Sequence, residues 1–187
     1  MQDVQFFERM FNKLNLFTAS SLKLLYALAS DPMRSFYQRE VAGEAHVSVG
    51  SANRILRGLV DRGLIDREKK GKIYLYRFNV DNPVSRQLKV LFNIMEVEEL
   101  VGMLQNLTTR VILFGSCAEG RDVRESDIDL LVLTNEKKTV SEIISQYKSK
   151  RRLSPIIVNA NDFTKLRNDD RPLYNEIMRG ITLWERD

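Results

Sequence analysis

Two apolar runs, at residues 111–114 and 128–133, bracket a segment that begins with Gly115-Ser116 and, after ten intervening residues, reaches Asp127-Ile128-Asp129. Short runs of aliphatic and aromatic residues bounded by turn residues read as buried strands. The polar segment between them must then present its chemistry at a strand end. Residues two apart on a strand project to the same face. Asp127 and Asp129 therefore converge, while Ile128, Leu130 and Val132 face the interior. Paired carboxylates of this kind suit Mg²⁺, which takes a few carboxylate oxygens together with phosphate oxygens and water, and a second ion can assist in-line attack on phosphorus. Gly115 permits a sharp turn at the strand end. Ser116 opens a helix whose N–H groups and hydroxyl would face a triphosphate, and Arg121 and Arg124 are the nearby cations that would neutralise phosphate charge. Either fragment alone is an ordinary turn or strand cap; the combination in this order is specific.

The first part of the chain follows a different period. Residues 20–30 place Leu22, Leu25, Leu28 and Ala29 at helical spacing, and Asp31-Pro32 closes that helix. A second helix is expected over 37–45, with Val41 and Ala42 on its apolar side. A third begins at Ser48, a good N-cap, and ends at Gly63; Ala52, Ile55, Leu56 and Leu59 turn inward, and Ser51, Asn53, Arg54 and Arg57 outward. Strands at 64–68 and 73–78, joined by Lys69-Lys70-Gly71-Lys72, make a basic hairpin. From 83 to 107 a long helical pattern returns with Leu88, Leu91, Phe92, Met95, Leu100 and Leu104 apolar. The inter-domain connection is placed at its start, giving domains of residues 1–82 and 83–187. Helices at 137–150 and 172–179 and a strand at 155–158 alternate with the two buried strands.

The segment from Leu113 to Val132 resembles the active-site signature of minimal nucleotidyltransferases of the DNA polymerase beta superfamily. The resemblance covers about residues 85–187, including a closing helix and strand in the run from Pro172 to Trp184. It implies that Gly115 and Ser116 hold nucleotide phosphates and that Asp127 and Asp129 bind one or two Mg²⁺ ions. One departure matters. The family normally adds a third carboxylate on the strand corresponding to residues 153–158, and no acid lies there; Ser154 or a neighbour takes that place, and the next acid, Asp162, falls past the strand end.

The order helix, helix, helix, hairpin over residues 20–79 resembles the winged helix-turn-helix of small prokaryotic transcription regulators. That resemblance implies a recognition helix entering the major groove, with Val49, Gly50, Ser51, Asn53, Arg54 and Arg57 near bases or phosphates and Lys69, Lys70 and Lys72 of the wing on the backbone. The expected fold class is α+β, a winged helix-turn-helix followed by an α/β nucleotidyltransferase-type domain with a small mixed sheet.

Composition narrows the function classes. An excess of 29 Lys and Arg over 25 Asp and Glu, with a sequence pI near 9.2, permits a nucleic-acid partner without requiring one. One cysteine, Cys117, and one histidine, His46, leave no disulfide framework and no zinc spacing. Neither residue carries an evident role. The run from Lys148 to Arg152 reads as a solvated helix end. The start of the chain lacks the layout of a signal peptide, and no apolar run is long enough to span a bilayer, so a cytoplasmic protein is expected. Two functions follow. One is Mg²⁺-dependent transfer of a nucleoside monophosphate from a nucleoside triphosphate to a hydroxyl. The other is a DNA-binding regulator or antitoxin whose nucleotidyltransferase domain, lacking the third acid, serves as a nucleotide-binding or oligomerisation module. Expected partners are DNA, a nucleoside triphosphate, a second copy of the chain and a helical toxin-type protein.

Overall fold

The computed structural model describes residues 15–186, so the N-terminal segment read for a signal peptide lies outside the described residues. Two units separate, Met1–Ser85 and Arg86–Asp187. In the first, helix α1 (Ala19–Ala29) is opened by Thr18 and Ser21, which cap each other's backbone N–H groups at 3.3 and 2.8 Å. Its buried face is Leu24, Leu25 and Leu28, all fully enclosed, while Leu22 is only half-buried. Helices α2 (Gln38–Glu44) and α3 (Val49–Asp61) meet at a tight corner. His46 makes that corner: its φ of +52° is a left-handed conformation that few side chains adopt, and the Val47 N–H closes back onto the Ala42 carbonyl at 2.9 Å. The lone histidine therefore has a backbone role that its sequence position does not announce.

Ser48 caps α3 by accepting from the Ser51 N–H, and Gly63 follows the helix as the Leu64 N–H bonds to the Leu59 carbonyl. Ala52, Leu56 and Leu59 are buried, with Ile55 less so. Strands β1 (Phe36–Tyr37), β2 (Ile65–Lys70) and β3 (Ile73–Phe78) form an antiparallel sheet in the order β1-β3-β2. The short β1 was not expected; it brings Phe36, 1% exposed, beside the buried Tyr76 and Phe78. The hairpin is tighter than expected. Lys70 pairs with Ile73, leaving a two-residue turn, Gly71-Lys72, in which Gly71 has φ +64° as a type II′ turn requires. Lys69 and Lys70 are thus strand residues rather than loop residues. This unit is a winged helix-turn-helix.

The second unit is a four-stranded mixed sheet. Strands β4 (Arg110–Phe114), β5 (Ile128–Leu133), β6 (Leu153–Val158) and β7 (Ile181–Glu185) lie in the order β6-β5-β4-β7, with β5 and β6 parallel and the other pairs antiparallel. Strand alternation divides the core. Ile128, Leu130 and Val132 join Val111 and Leu113 under helices α4 (Pro83–Leu104) and α6 (Lys137–Gln146). Ile112, Phe114 and Leu131 face the other way, toward Phe163 and Leu166 of α7 (Ala160–Asp169) and Leu173 and Ile177 of α8 (Arg171–Met178). Between β4 and β5 lies the short helix α5 (Gly115–Glu119).

Three expectations for this unit need correction. Helix α6 stops at Gln146, and 147–152 is a loop, because Tyr147 already has extended ψ of 127°. Helix α7 was not expected, since only Phe163 and Leu166 mark its apolar side; Asn159 starts it by accepting from the Asp162 N–H at 2.8 Å. Leu91 and Met95 of α4, read as part of its apolar pattern, are 45% and 60% exposed. The helix instead turns Lys89 and Asn93 inward, 3% and 4% exposed, for a reason that lies across the unit.

Candidate functional site

Strand register fixes the surroundings of Asp129, the second residue of β5. It pairs with Phe114 on antiparallel β4 and with Ser154 on parallel β6. Because Leu131 faces the α7 and α8 side, Asp129 and Asp127 fall on that same face by alternation. Gly115 follows Phe114 directly, and its φ of +67° is a left-handed conformation. A Cβ added there would come within 2.6 Å of the Asp129 carboxylate. Any side chain at 115 would collide with that carboxylate, so both conformation and space require glycine at this turn.

The Asp129 carboxylate is partly buried and lies close to the Asp127 charge. Burial pushes the Asp129 carboxyl above the usual carboxylate range; the Ser154 hydroxyl, which donates to it, pulls the other way, and the neighbouring Asp127 charge adds to the rise. A proton therefore competes with a cation at Asp129 above the pH usual for an aspartate. Two hard-oxygen donors on one face, at a cost in mutual repulsion that a divalent ion would relieve, fit one Mg²⁺ completed by phosphate and water. Among the described residues no group of three or more His, Cys, Asp or Glu could hold a metal ion.

Ser154 occupies the place where an acid was sought, and it is bonded to Asp129. Asp162 lies on α7 and is engaged by Lys137 at 2.5 Å, so it does not supply the missing carboxylate. Arg121 turns to Glu119 at 3.1 Å on the surface, and Arg124 is exposed on the same loop. The cation that does reach the carboxylates was not anticipated: Arg152 Nη1 stands 3.6 Å from Asp127 Oδ2.

Behind the loop is a buried ionic cluster that the sequence reading missed. Asp122, 1% exposed, accepts from Lys89 Nζ at 3.1 Å, Arg151 Nη1 at 2.7 Å and Asn93 Nδ2 at 2.8 Å. Arg151 also pairs with Glu96 at 2.9 Å and donates to Asn93 Oδ1 at 2.9 Å. Burial lowers the Lys89 ammonium below the usual lysine range, and Asp122 offsets that only in part. The cluster fastens the 115–127 loop to α4 and to the strand entrance at β6. It corrects the reading of Lys148 to Arg152 as a solvated helix end, at least for Arg151. The available signal was the pair Lys89 and Asn93 interrupting an otherwise apolar helix face. Cys117 is buried beside this cluster; burial first, then Asp122, push its thiol up to about 12, so it stays protonated and is no nucleophile.

In the first unit, the residues expected to meet DNA are mostly exposed. Arg54 and Arg57 are exposed on α3, as are Gly50 and Val49, the last at 46%; Ser51 and Asn53 are half-buried, and the Ser51 hydroxyl bonds with Ser48 at 3.0 Å. Lys69, Lys70 and Lys72 are exposed along the wing. Arg67 stacks over Tyr74 of the facing strand at 4.7 Å.

The second unit has a nucleotidyltransferase-type fold with the Gly-Ser turn and two carboxylates at one sheet end. Residues 98–187 match the family model described as polymerase beta, nucleotidyltransferase, a family that generally uses a divalent metal. Similar solved structures include a candidate nucleotidyltransferase from Sulfolobus solfataricus, 17% identical, with 54% of this chain and 87% of that one covered and a TM-score of 0.37. A MarR family transcriptional regulator from Silicibacter pomeroyi DSS-3 is 16% identical, with 54% and 71% covered and a TM-score of 0.40. No curated protein matches the sequence. Among the described residues no helix is long and apolar enough to cross a membrane.

Proposed function

We propose that this chain is a DNA-binding regulator whose C-terminal unit binds a nucleoside triphosphate with Mg²⁺ and transfers the nucleotidyl group only slowly. The observation that carries this reading is Ser154 in register with Asp129, donating its hydroxyl to that carboxylate. Asp127 and Asp129 would hold the ion, and Gly115 and Ser116 would place the phosphates. Mg²⁺, when bound, supplies charge neutralisation at the α-phosphate. Taking the proton from an attacking hydroxyl falls to the protein, and general-base assistance is worth about 10² to 10⁴ in rate. A neutral serine hydroxyl does not provide it. Transfer therefore proceeds at a small fraction of the rate a third carboxylate would allow, and the bound nucleotide acts chiefly as a ligand.

DNA contact would fall to Arg54 and Arg57 of α3 and to the wing lysines. The full chain is expected to bind duplex DNA with an affinity that falls steeply with salt. Replacing Lys69, Lys70 and Lys72 by alanine should reduce the slope of log affinity against log salt by about 1 per lost phosphate contact, roughly 2 to 3 in all. Arg54→Ala with Arg57→Ala should weaken binding at every salt concentration. Fluorescence anisotropy on a labelled duplex over a salt series reads both. Binding that is absent, or unaltered in both variants, removes the DNA-binding part of the proposal.

A further inference from the structure

Arg152 combines a fixed root with an exposed head. Its carbonyl accepts from the Ile128 N–H at 2.9 Å, and the next residues pair in register, Leu153 with Ile128 and Ser154 with Asp129. On its other side Arg151 is locked into the buried cluster through Glu96, Asp122 and Asn93. The backbone at 152 is thus held beside both carboxylates. The side chain is less constrained: it is 81% exposed and meets Asp127 at 3.6 Å. An ion pair this open contributes little and exchanges readily. A guanidinium is also well suited to phosphate, because its planar fork can donate to two oxygens at once.

We infer that Arg152 is an exchangeable counter-ion of the site: it neutralises Asp127 while no metal is bound, and passes to the triphosphate when Mg²⁺ takes the carboxylates. This rests on the reading of Asp127 and Asp129 as the cation site. It makes Arg152 a nucleotide-binding residue that competes with the metal in the absence of nucleotide and supports the nucleotide in its presence. Two affinities of one variant must then move in opposite directions, which a purely structural role would not produce.

Titration calorimetry on the full chain tests this with MgCl₂ alone and with ATP at saturating MgCl₂. Arg152→Ala is expected to bind Mg²⁺ more tightly, by a factor of up to about five, the range of an exposed ion pair. It should bind ATP about tenfold more weakly, the worth of a charge-assisted hydrogen bond. Arg152→Lys, which keeps the charge, should stay close to wild type for Mg²⁺. Mg²⁺ affinity that is unchanged or weaker in Arg152→Ala, or unchanged ATP affinity beside a wild type that binds both, overturns the inference alone. A wild type that binds no ATP overturns it together with the reading of the site.

Discussion

Ser154→Asp is expected to raise Mg²⁺-dependent nucleotidyl transfer by about 100-fold, the lower end of what a positioned general base contributes. Strand register makes the substitution specific: residue 154 is the β6 neighbour of Asp129 and already points a hydrogen-bonding group at it. A carboxylate there would complete three acids on one face. The same change has a second consequence. Three like charges at one strand end repel one another, and the Asp129 carboxyl is already raised by burial and by Asp127. The variant should therefore melt at a lower temperature than wild type without metal and regain much of that loss with Mg²⁺. Pyrophosphate release from labelled ATP, with protein and RNA acceptors supplied, gives the rate, and calorimetric melting with and without Mg²⁺ gives the second signature. A wild type that already transfers rapidly, with Ser154→Asp no faster, would count against the role given to Ser154.

Asp122→Ala is expected to destabilise the C-terminal unit by about 3 kcal/mol, the low end for removing one partner of a buried ion pair. Asp122 is 1% exposed and faces two cations and an amide, so its loss removes a carboxylate that the buried Lys89 and Arg151 both pair with. The low end applies because Lys89 can shed its proton: burial already holds its ammonium below the usual lysine range. The sign with pH follows. A lysine whose native pKa is lowered binds fewer protons folded than unfolded, so stability rises with pH below the ordinary lysine value of about 10.4. Without Asp122 the lowering is greater, and the gap to wild type should narrow as pH is raised from 7 towards 10. Denaturant unfolding across that range measures it. A gap that widens with pH would mean that Lys89 is not the group left exposed to the loss.

Much of this architecture was legible because local signals agreed with tertiary demands. The helix of Val49–Asp61 announces itself through Ser48, Gly63 and a single apolar stripe, and Asp127-Ile128-Asp129 places two carboxylates on one face through the alternation of any strand. What was missed depended on partners distant in sequence. Nothing local marks Arg151 as buried amid lysines and arginines that are exposed, because its reason for burial is Asp122 and Glu96, 29 and 55 residues away. For the same reason the apolar pattern of α4 included Leu91 and Met95, although the charged cluster claims the opposite, inward face. His46 was passed over because residue type signals a positive φ only weakly outside glycine, even for histidine.

Equilibrium binding of labelled ATP to the full chain, with and without Mg²⁺, in wild type and in the Asp127→Ala, Asp129→Ala double variant, tests the cation and nucleotide site most directly. Binding to wild type is expected to require Mg²⁺ and to disappear in the double variant while the fold, followed by circular dichroism, is retained. ATP binding that is indifferent to Mg²⁺ and survives loss of both carboxylates, or no binding by wild type at all, would contradict it.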